Sequence, residues 1–589
     1  MIKILLLLFL NSFLAAQIVQ YPLGVNLTND GAFIDIVKHT NRYSNVEEFD
    51  ENGWPMDDFD LLIMDGRPVA EWTGQIDDPE EYRIDYSGTY RCSFKGRADI
   101  SLWGSGASIE NKGYESETNT TYFDLVIPGP PGSEHGIVNL TFSNTQRSEN
   151  GPSNQGIKNL KIYHPGYSLD IEQTFTDEYL DLCKIADFQC YRFYTLQNIW
   201  SGEPEYPEKT LWENRKLPDD ASQISMQNMN GKANGWCWEY IVELANYLQK
   251  PIWVNFHISA DDDYIRSAAQ FLLDNLNPSI EIYVENSNEV WSPTHMSHGP
   301  YNQALADELG ITFDQAYAHG TVRLSNLFAE VFGENEINNR IKVILAGQSV
   351  YPGRSDNHLN YINDTYGSPK NFIWATSVTT YFGTTNPDGD PDEINEGMIE
   401  SILDQVDSDG NRIVNIQKAN DWDLPGGCTS YEGGPHFPAG GSLDNLDNAI
   451  LSHRTEEMKN VLLTNYIDGW FEQGGGLAIH FTLSGAYQRF GCWGLTDDPS
   501  DPFRNYKMEA ILAMLNPTNI QELNKDEYQI IDGNIVGVKG IEKIEIYNYS
   551  GQQINAIKYY PWYLGGLKPG IYFVKIITEK EEYFIKYYR

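Results

Sequence analysis

The sequence has few cysteines and no arrangement of them that suits a metal. Six residues, Cys92, Cys183, Cys190, Cys237, Cys428 and Cys492, are scattered through 589 positions without one C-x-x-C pair. That excludes the usual zinc and iron-sulfur sites. In an exported chain some of them are able to pair as disulfides, but their spacing does not say which. Basic residues are scarce too: 41 Lys and Arg stand against 83 Asp and Glu, for a formal net charge of -42. A field of that sign repels nucleic acid and anionic membrane surfaces, so polyanion-binding roles are disfavoured and the charge serves solubility. Long apolar runs are missing as well, since nothing after the N-terminus approaches the ~20 residues of a transmembrane helix.

The one apolar run comes first. MIKILLLLFLNSFLAAQ carries a single Lys, an apolar stretch from Ile4 to Leu10, and small residues at Ala15 and Ala16. This is the pattern of a signal peptide over residues 1–16, too short to span a bilayer. The expected mature protein is exported, secreted or held at the cell surface, with no transmembrane helix. Its length sets a prior of two or three domains.

Three textures follow along the chain. Residues 17–66 contain a short apolar strand, LGVNL. From 67 to 166, segments such as YRCSF, YFDLVI and IVNLTF alternate apolar and polar residues between Gly, Pro and Asn turns, as antiparallel strands with one wet face do. A β-sandwich is expected there. From 167 to 517, seven short apolar runs alternate with helical or long connecting segments: CYRFYTL, PIWVNFHIS, EIYVENSNE, KVILAGQ, FIWATSVTTYF, GCTSYEGG and GLAIHFTLSG. With LGVNL as the first strand the count is eight, the number of a closed (β/α)8 TIM barrel. The fold class expected is therefore α/β, a barrel with an inserted β-sandwich. Residues 518–589 return to alternating strands and Gly-rich turns, a small all-β domain.

Reactive side chains of such a barrel sit where its strands end. EIYVENSNE as strand four and GCTSYEGG as strand seven bring Glu289 and Glu432 to one mouth. Two carboxylates across a sugar-sized gap suit glycosidic cleavage, in which one protonates the leaving oxygen and the other attacks the anomeric carbon or activates water. Asn288 stands beside Glu289 to donate to a sugar hydroxyl. Glu285, four residues earlier, shares the face of Glu289 if strand alternation continues, and is expected to be a structural partner rather than the acid.

At these residues the chain resembles clan A of the glycoside hydrolases, over about residues 20 to 515. The resemblance implies that Asn288 and Glu289 end strand four with Glu289 as acid/base, that Glu432 is the nucleophile, and that cleavage is retaining. It matches Arg192 to the Arg near the end of strand two and Tyr381 to the strand-six residue, and makes Trp493 a floor for the sugar ring. No cofactor is implied. The sandwich between strands one and two is not a general feature of the clan. The tail, with IEIYNYSGQQI and LGGLKPGIYFVKI, resembles the C-terminal sorting domain of the type IX secretion system of the Bacteroidetes, which implies export through that machinery.

Aromatic residues make up 13 per cent of the chain, and flat rings cover the C–H faces of sugars. Trp200, Trp212, Trp291 and Trp493 are candidate subsites. His257, His295 and His436 lie near strand ends with no metal-ligand spacing. His257 and His436 are taken as candidate substrate contacts. The acidic run TNPDGDPDE, 385–393, lacks the sixth-position Gly of an EF-hand loop. The expected activity is a retaining, endo-acting hydrolase of a β-linked plant or algal polysaccharide. A non-catalytic carbohydrate-binding protein and a polysaccharide lyase built on Tyr381, His257 and Arg192 are the competing classes.

Overall fold

A computed structural model describes residues 21–588. Within that span it leaves out 41, 66–83, 105, 130–136, 200–201, 225–234, 292, 295–296, 408 and 440–443, and in the tail 516–520, 523–528, 532–533, 537–540, 549–552, 559–563, 565–570 and 579–581. The leader, Trp200 and His295 lie outside the described residues.

Eight parallel strands close into a barrel in chain order: β1 (Leu23–Asn26), β2 (Tyr191–Arg192), β3 (Ile252–Phe256), β4 (Ile282–Asn286), β5 (Ile341–Ala346), β6 (Ala375–Phe382), β7 (Cys428–Pro435) and β8 (Ala478–His480). β8 pairs back onto β1 through Leu23 and Ala478. The strands read as short apolar runs because helices cover their outer faces. The helix Asp262–Asn275, between β3 and β4, shows how its sequence specifies it. Asp261 caps it by accepting from the Tyr264 backbone N–H, and Tyr264, Ile265, Ala268, Ala269 and Leu272 form its buried stripe. The acidic run after β6 has a similar job: Asp390 and Glu393 make a capping box for the helix Pro391–Asp404. Among the described residues no group of three or more His, Cys, Asp or Glu is placed to hold a metal ion, and no helix is long and apolar enough to cross a membrane.

The chain leaves the barrel after β1 and builds a two-sheet sandwich before returning to β2. One sheet has the order 43–44, 59–65, 137–146, 97–103, and the other 108–115, 120–127, 88–95, 158–163. The sandwich thus begins well before residue 67: Phe59–Asp65 is one of its strands, not part of the approach to the barrel. Its partner, Ile137–Gln146, lies some eighty positions away in sequence, and no local turn signals such a pairing. Phe59 and Phe142 stack across these strands at 4.6 Å and 12°, in a core shared with Leu61, Phe94, Phe123, Leu125 and Leu140. The two ends of the insertion are tied together. Ile34 N donates to Thr174 O at 3.0 Å, and Thr176 N to Ala32 O at 2.9 Å. An insertion whose ends meet leaves the host barrel's geometry undisturbed.

The C-terminal unit has a five-stranded sheet with the order 521–522, 582–588, 571–578, 541–548, 553–557, packed on a core that includes Ile544, Ile546, Leu564, Val574 and Ile576. All six cysteines are free, buried thiols.

Barrel closure constrains Gly24, whose β1 lies between β2 and β8. A Cβ there would sit 2.4 Å from Cys190 O and 2.6 Å from Ile479 Cδ1. Gly24→Ala is therefore expected to destabilise the protein by at least the ~1–3 kcal/mol of an overpacked core. Urea unfolding of the variant against the wild type measures it.

Candidate active site

Strand register decides which side chains share the barrel interior. Asn26 pairs with Arg192, Arg192 with Trp253, and Asn255 with Glu285, and residues paired across neighbouring strands project to the same side. All five are at most 1% exposed. The Arg192 guanidinium donates to Glu285 Oε2, Asn288 Oδ1 and Glu432 Oε1, each at 2.8 Å. Trp253 Nε1 and Asn255 Nδ2 donate to the same Glu285 oxygen at 2.9 and 2.8 Å. Asn255 is fixed in turn by Gln197, which accepts from its backbone N–H and donates to its carbonyl. Glu285 is thus an anchor for Arg192, held by three donors in a dry interior.

Glu289 reaches the mouth by a different route from the one alternation suggests. β4 ends at Asn286, and Ser287 and Glu289 both take left-handed backbone, with φ of 61° and 51°. The side chain of Glu289 is therefore set by a turn, and it does not simply continue the face of Glu285. Its Oε1 accepts from the Tyr431 hydroxyl at 3.0 Å. Glu432 lies on β7, where the pairing with β6 skips one residue: Val378 faces Ser430, but Thr379 faces Glu432. Tyr431 is the extra residue of this bulge. A bulge lets two consecutive side chains serve one site, and here Tyr431 meets Glu289 while Glu432 meets Arg192. Glu432 Oε2 also accepts from the Tyr381 hydroxyl at 2.9 Å.

The two carboxyls live in different electrostatic surroundings. Burial, followed by the charge of Glu432, pushes Glu289 up to about 7, and only the Tyr431 hydrogen bond and the more distant Arg192 oppose the rise. Burial also pushes Glu432 up, but the Arg192 guanidinium and the Tyr381 hydroxyl both donate to it and pull it back. A charged donor favours the carboxylate form more than a lone phenol does. Of the two, Glu432 is the better placed to carry negative charge and Glu289 to hold a proton.

The other candidates divide into those at the pair and those away from it. Asn288 is 1% exposed; its oxygen is committed to Arg192, and its buried Nδ2 has no partner among the described residues. Arg is donor-only, so this bond fixes which end of the amide faces it. Tyr381, Phe481, Trp493 and His436 form a wall of rings beside Glu432, with centroid separations of 6.3 Å (Tyr381 to Phe481), 5.8 Å (Phe481 to Trp493) and 6.4 Å (Trp493 to His436). Trp291 follows Glu289, its backbone N–H donating to Glu289 O, and its ring lies under Arg354 at 5.7 Å. His257 is buried, and burial lowers it to about 4. It lines a small pocket with Gln197, Trp236, Trp238, Asn255 and Tyr264, and no hydrogen bond joins it to either carboxyl among the described residues. Trp212 packs on Tyr264 and Arg215. Six residues of the site, Tyr431, Asn255, Trp253, Gln197, Phe481 and Tyr194, whose ring lies 4.6 Å from the Arg192 guanidinium, escape sequence reasoning. Register is the signal that finds Trp253 and Asn255, because both point inward with Arg192.

No family model matches the chain, and no curated protein matches it. Among solved structures, an arabinose-bound α-L-arabinofuranosidase of family 51 is 9% identical, covering 97% of this chain and 96% of its own, with a TM-score of 0.42. A family 51 α-L-arabinofuranosidase from Bifidobacterium longum is 13% identical over 59% of this chain and 69% of its own, at 0.36. An N-terminal endo-1,4-β-D-xylanase from Clostridium thermocellum with bound xylohexaose is 9% identical over 76% and 88%, at 0.27.

Removing Arg192 leaves the fully buried Glu285 without its cation. Arg192→Met is expected to cost about 3–5 kcal/mol, and adding Glu285→Gln should recover part of the loss. Urea unfolding of the single and double variants tests both statements.

Proposed function

We propose that this protein is a retaining glycoside hydrolase acting on a β-linked polysaccharide outside the cell. The observation that carries the reading is the unequal pair at one barrel mouth: Glu432 takes hydrogen bonds from the Arg192 guanidinium and Tyr381, while Glu289 takes one from Tyr431 alone. Glycosidic cleavage needs this division between a neutral acid and a charged nucleophile. Glu289 would protonate the departing sugar oxygen while Glu432 attacks the anomeric carbon. Glu289, now ionised, would take a proton from the incoming water, whose oxygen displaces Glu432.

The surroundings support these roles. The unpaired Asn288 Nδ2 is a donor for a sugar hydroxyl next to the reacting carbon, a bond that a buried amide otherwise lacks. Tyr381, Phe481 and Trp493 supply flat rings beside Glu432 for the glycone. The apolar leader and the tail's likeness to sorting domains support an export route of the type IX kind. The polymers tested first are then plant and algal wall polysaccharides, and cleavage within the chain is expected.

The test is reducing-end release from a panel of such polysaccharides. Glu289→Gln and Glu432→Gln should each lower the rate at least a hundredfold, about 2.7 kcal/mol of transition-state stabilisation. Binding without release by the wild type replaces the reading with that of a carbohydrate-binding protein. Cutting that persists in both variants overturns the residue assignment.

The pH dependence follows from the same pair. Glu289 must be protonated for the first step and is raised to about 7, so kcat/KM should hold below that pH and fall as pH rises through it. A pH–rate profile checks the sign, and Glu289→Gln should abolish this limb in whatever activity remains.

A further inference from the structure

Tyr431 is built into the site in a way the mechanism above leaves unused. It is the extra residue of the β7 bulge and is 1% exposed. Its ring lies 5.3 Å from the Arg192 guanidinium, and its hydroxyl donates to Glu289 Oε1. The ring thus spans from the cation that grips Glu432 to the acid itself. Among the described residues no other side-chain donor reaches Glu289, and its Oε2 has no partner there.

We propose that Tyr431 is a positioning residue for Glu289, selecting Oε2 as the oxygen that carries the proton and stabilising the carboxylate that must act as base in the second half of the reaction. The inference rests on the hydrolytic reading. In the first half the Oε2 proton passes to the leaving oxygen as its bond to the anomeric carbon breaks and Glu432 forms an ester there. In the second half the oxygen of a water molecule bonds to the anomeric carbon, its proton passes to Glu289 Oε2, and the ester bond breaks with its electron pair returning to Glu432. A donor held on Oε1 leaves the first transfer unobstructed, because the proton sits on the other oxygen. It favours the charged form on which the second transfer depends. The charged and titratable groups facing Glu289 are Glu432, Arg192, Glu285, Tyr431, Tyr194 and Tyr381. Of these, Tyr431 alone hydrogen-bonds to it.

The experiment compares wild type, Tyr431→Phe and Tyr381→Phe on 2,4-dinitrophenyl glycosides of glucose, xylose, galactose and arabinofuranose. With so good a leaving group the first half needs no proton, and release from Glu432 limits turnover. Tyr431→Phe is expected to lower kcat on the order of tenfold, the effect of one hydrogen bond to a charged group. Its kcat/KM should change less than about threefold, with a burst of dinitrophenol ahead of steady turnover. Its alkaline limb on 4-nitrophenyl glycosides should move to higher pH, because a donor to the ionised form is gone. Tyr381→Phe, which loses a donor to Glu432, should instead lower kcat/KM. A fall of kcat and kcat/KM together with an unmoved limb overturns the proposal, as does no change in either. In a Glu289→Gln background Tyr431→Phe should add nothing; a full additional loss means that Tyr431 acts on folding, not through Glu289. A wild type that releases dinitrophenol from none of the four glycosides and cuts no polymer overturns the hydrolytic reading and this one with it, an outcome distinct from any seen in the variants.

Discussion

A guanidinium with no access to water governs this barrel. Arg192 is fully buried, and a bare cation in such a place costs several kcal/mol unless partners offset it. Two carboxylates and an amide oxygen do so, at 2.8 Å each. Those partners come from β4, the turn after it and β7, so satisfying one side chain fixes three separate parts of the chain relative to β2. The same bonds set the charge of the site. One cation between Glu285 and Glu432 leaves a net negative centre, and a further carboxyl beside it resists ionising. Glu289 is that carboxyl. Burial is the larger reason that the acid of the proposed reaction resists ionising, and the charge on Glu432 adds to it.

Regular strands would not have built this arrangement. Strand alternation gives one inward residue in two, yet Tyr431 and Glu432 are consecutive and both serve the mouth. Glu285 and Glu289 would share a face on an unbroken strand, yet one is an anchor deep in the barrel and the other is half-buried at its rim. In each case a local departure from the strand supplies the difference: a bulge on β7, and left-handed backbone at Ser287 and Glu289 after β4. Left-handed backbone in residues other than Gly, Asn and Asp is uncommon and carries a conformational cost. Buried partners for Asn288 and Glu289 on either side of that turn hold it in place.

Much of the framework was legible because it rests on local pattern. The eight runs that became strands are short, apolar and separated by helical segments, and their order alone brings Glu289 and Glu432 to the same face. Arg192 and Tyr381 were legible through the resemblance to clan A, which matches them to residues near the ends of strands two and six. What escaped depends on contacts that no window of sequence contains. Tyr431 is an apolar-looking residue in a strand core until its hydroxyl is seen to meet a residue 142 positions earlier. Trp253 and Asn255 look like barrel filling, and only the register with Glu285 shows them as its donors. The start of the sandwich at Tyr43 was hidden for the same reason, since its strand pairs across a long loop. His257 lies at a strand end, as its place in the sequence suggests, and is buried beside Trp236, Trp238 and Tyr264.

The site's hydrogen bonds also decide how one carboxyl can do two jobs. A retaining cycle asks Glu289 to be neutral in one half and charged in the next. An acid pushed up by burial alone would give its proton reluctantly and hold the returning one too well. Here the pressure comes partly from the charge on Glu432, and in the proposed cycle that charge disappears when Glu432 becomes an ester. The repulsion that keeps Glu289 protonated is therefore present before the first step and absent during the second, when Glu289 must ionise. Tyr381 and Arg192 remain to receive the charge when the ester breaks. In the proposed cycle the alternation of states follows from the chemistry of the pair itself, with Tyr431, Tyr381 and Arg192 as the donors around it.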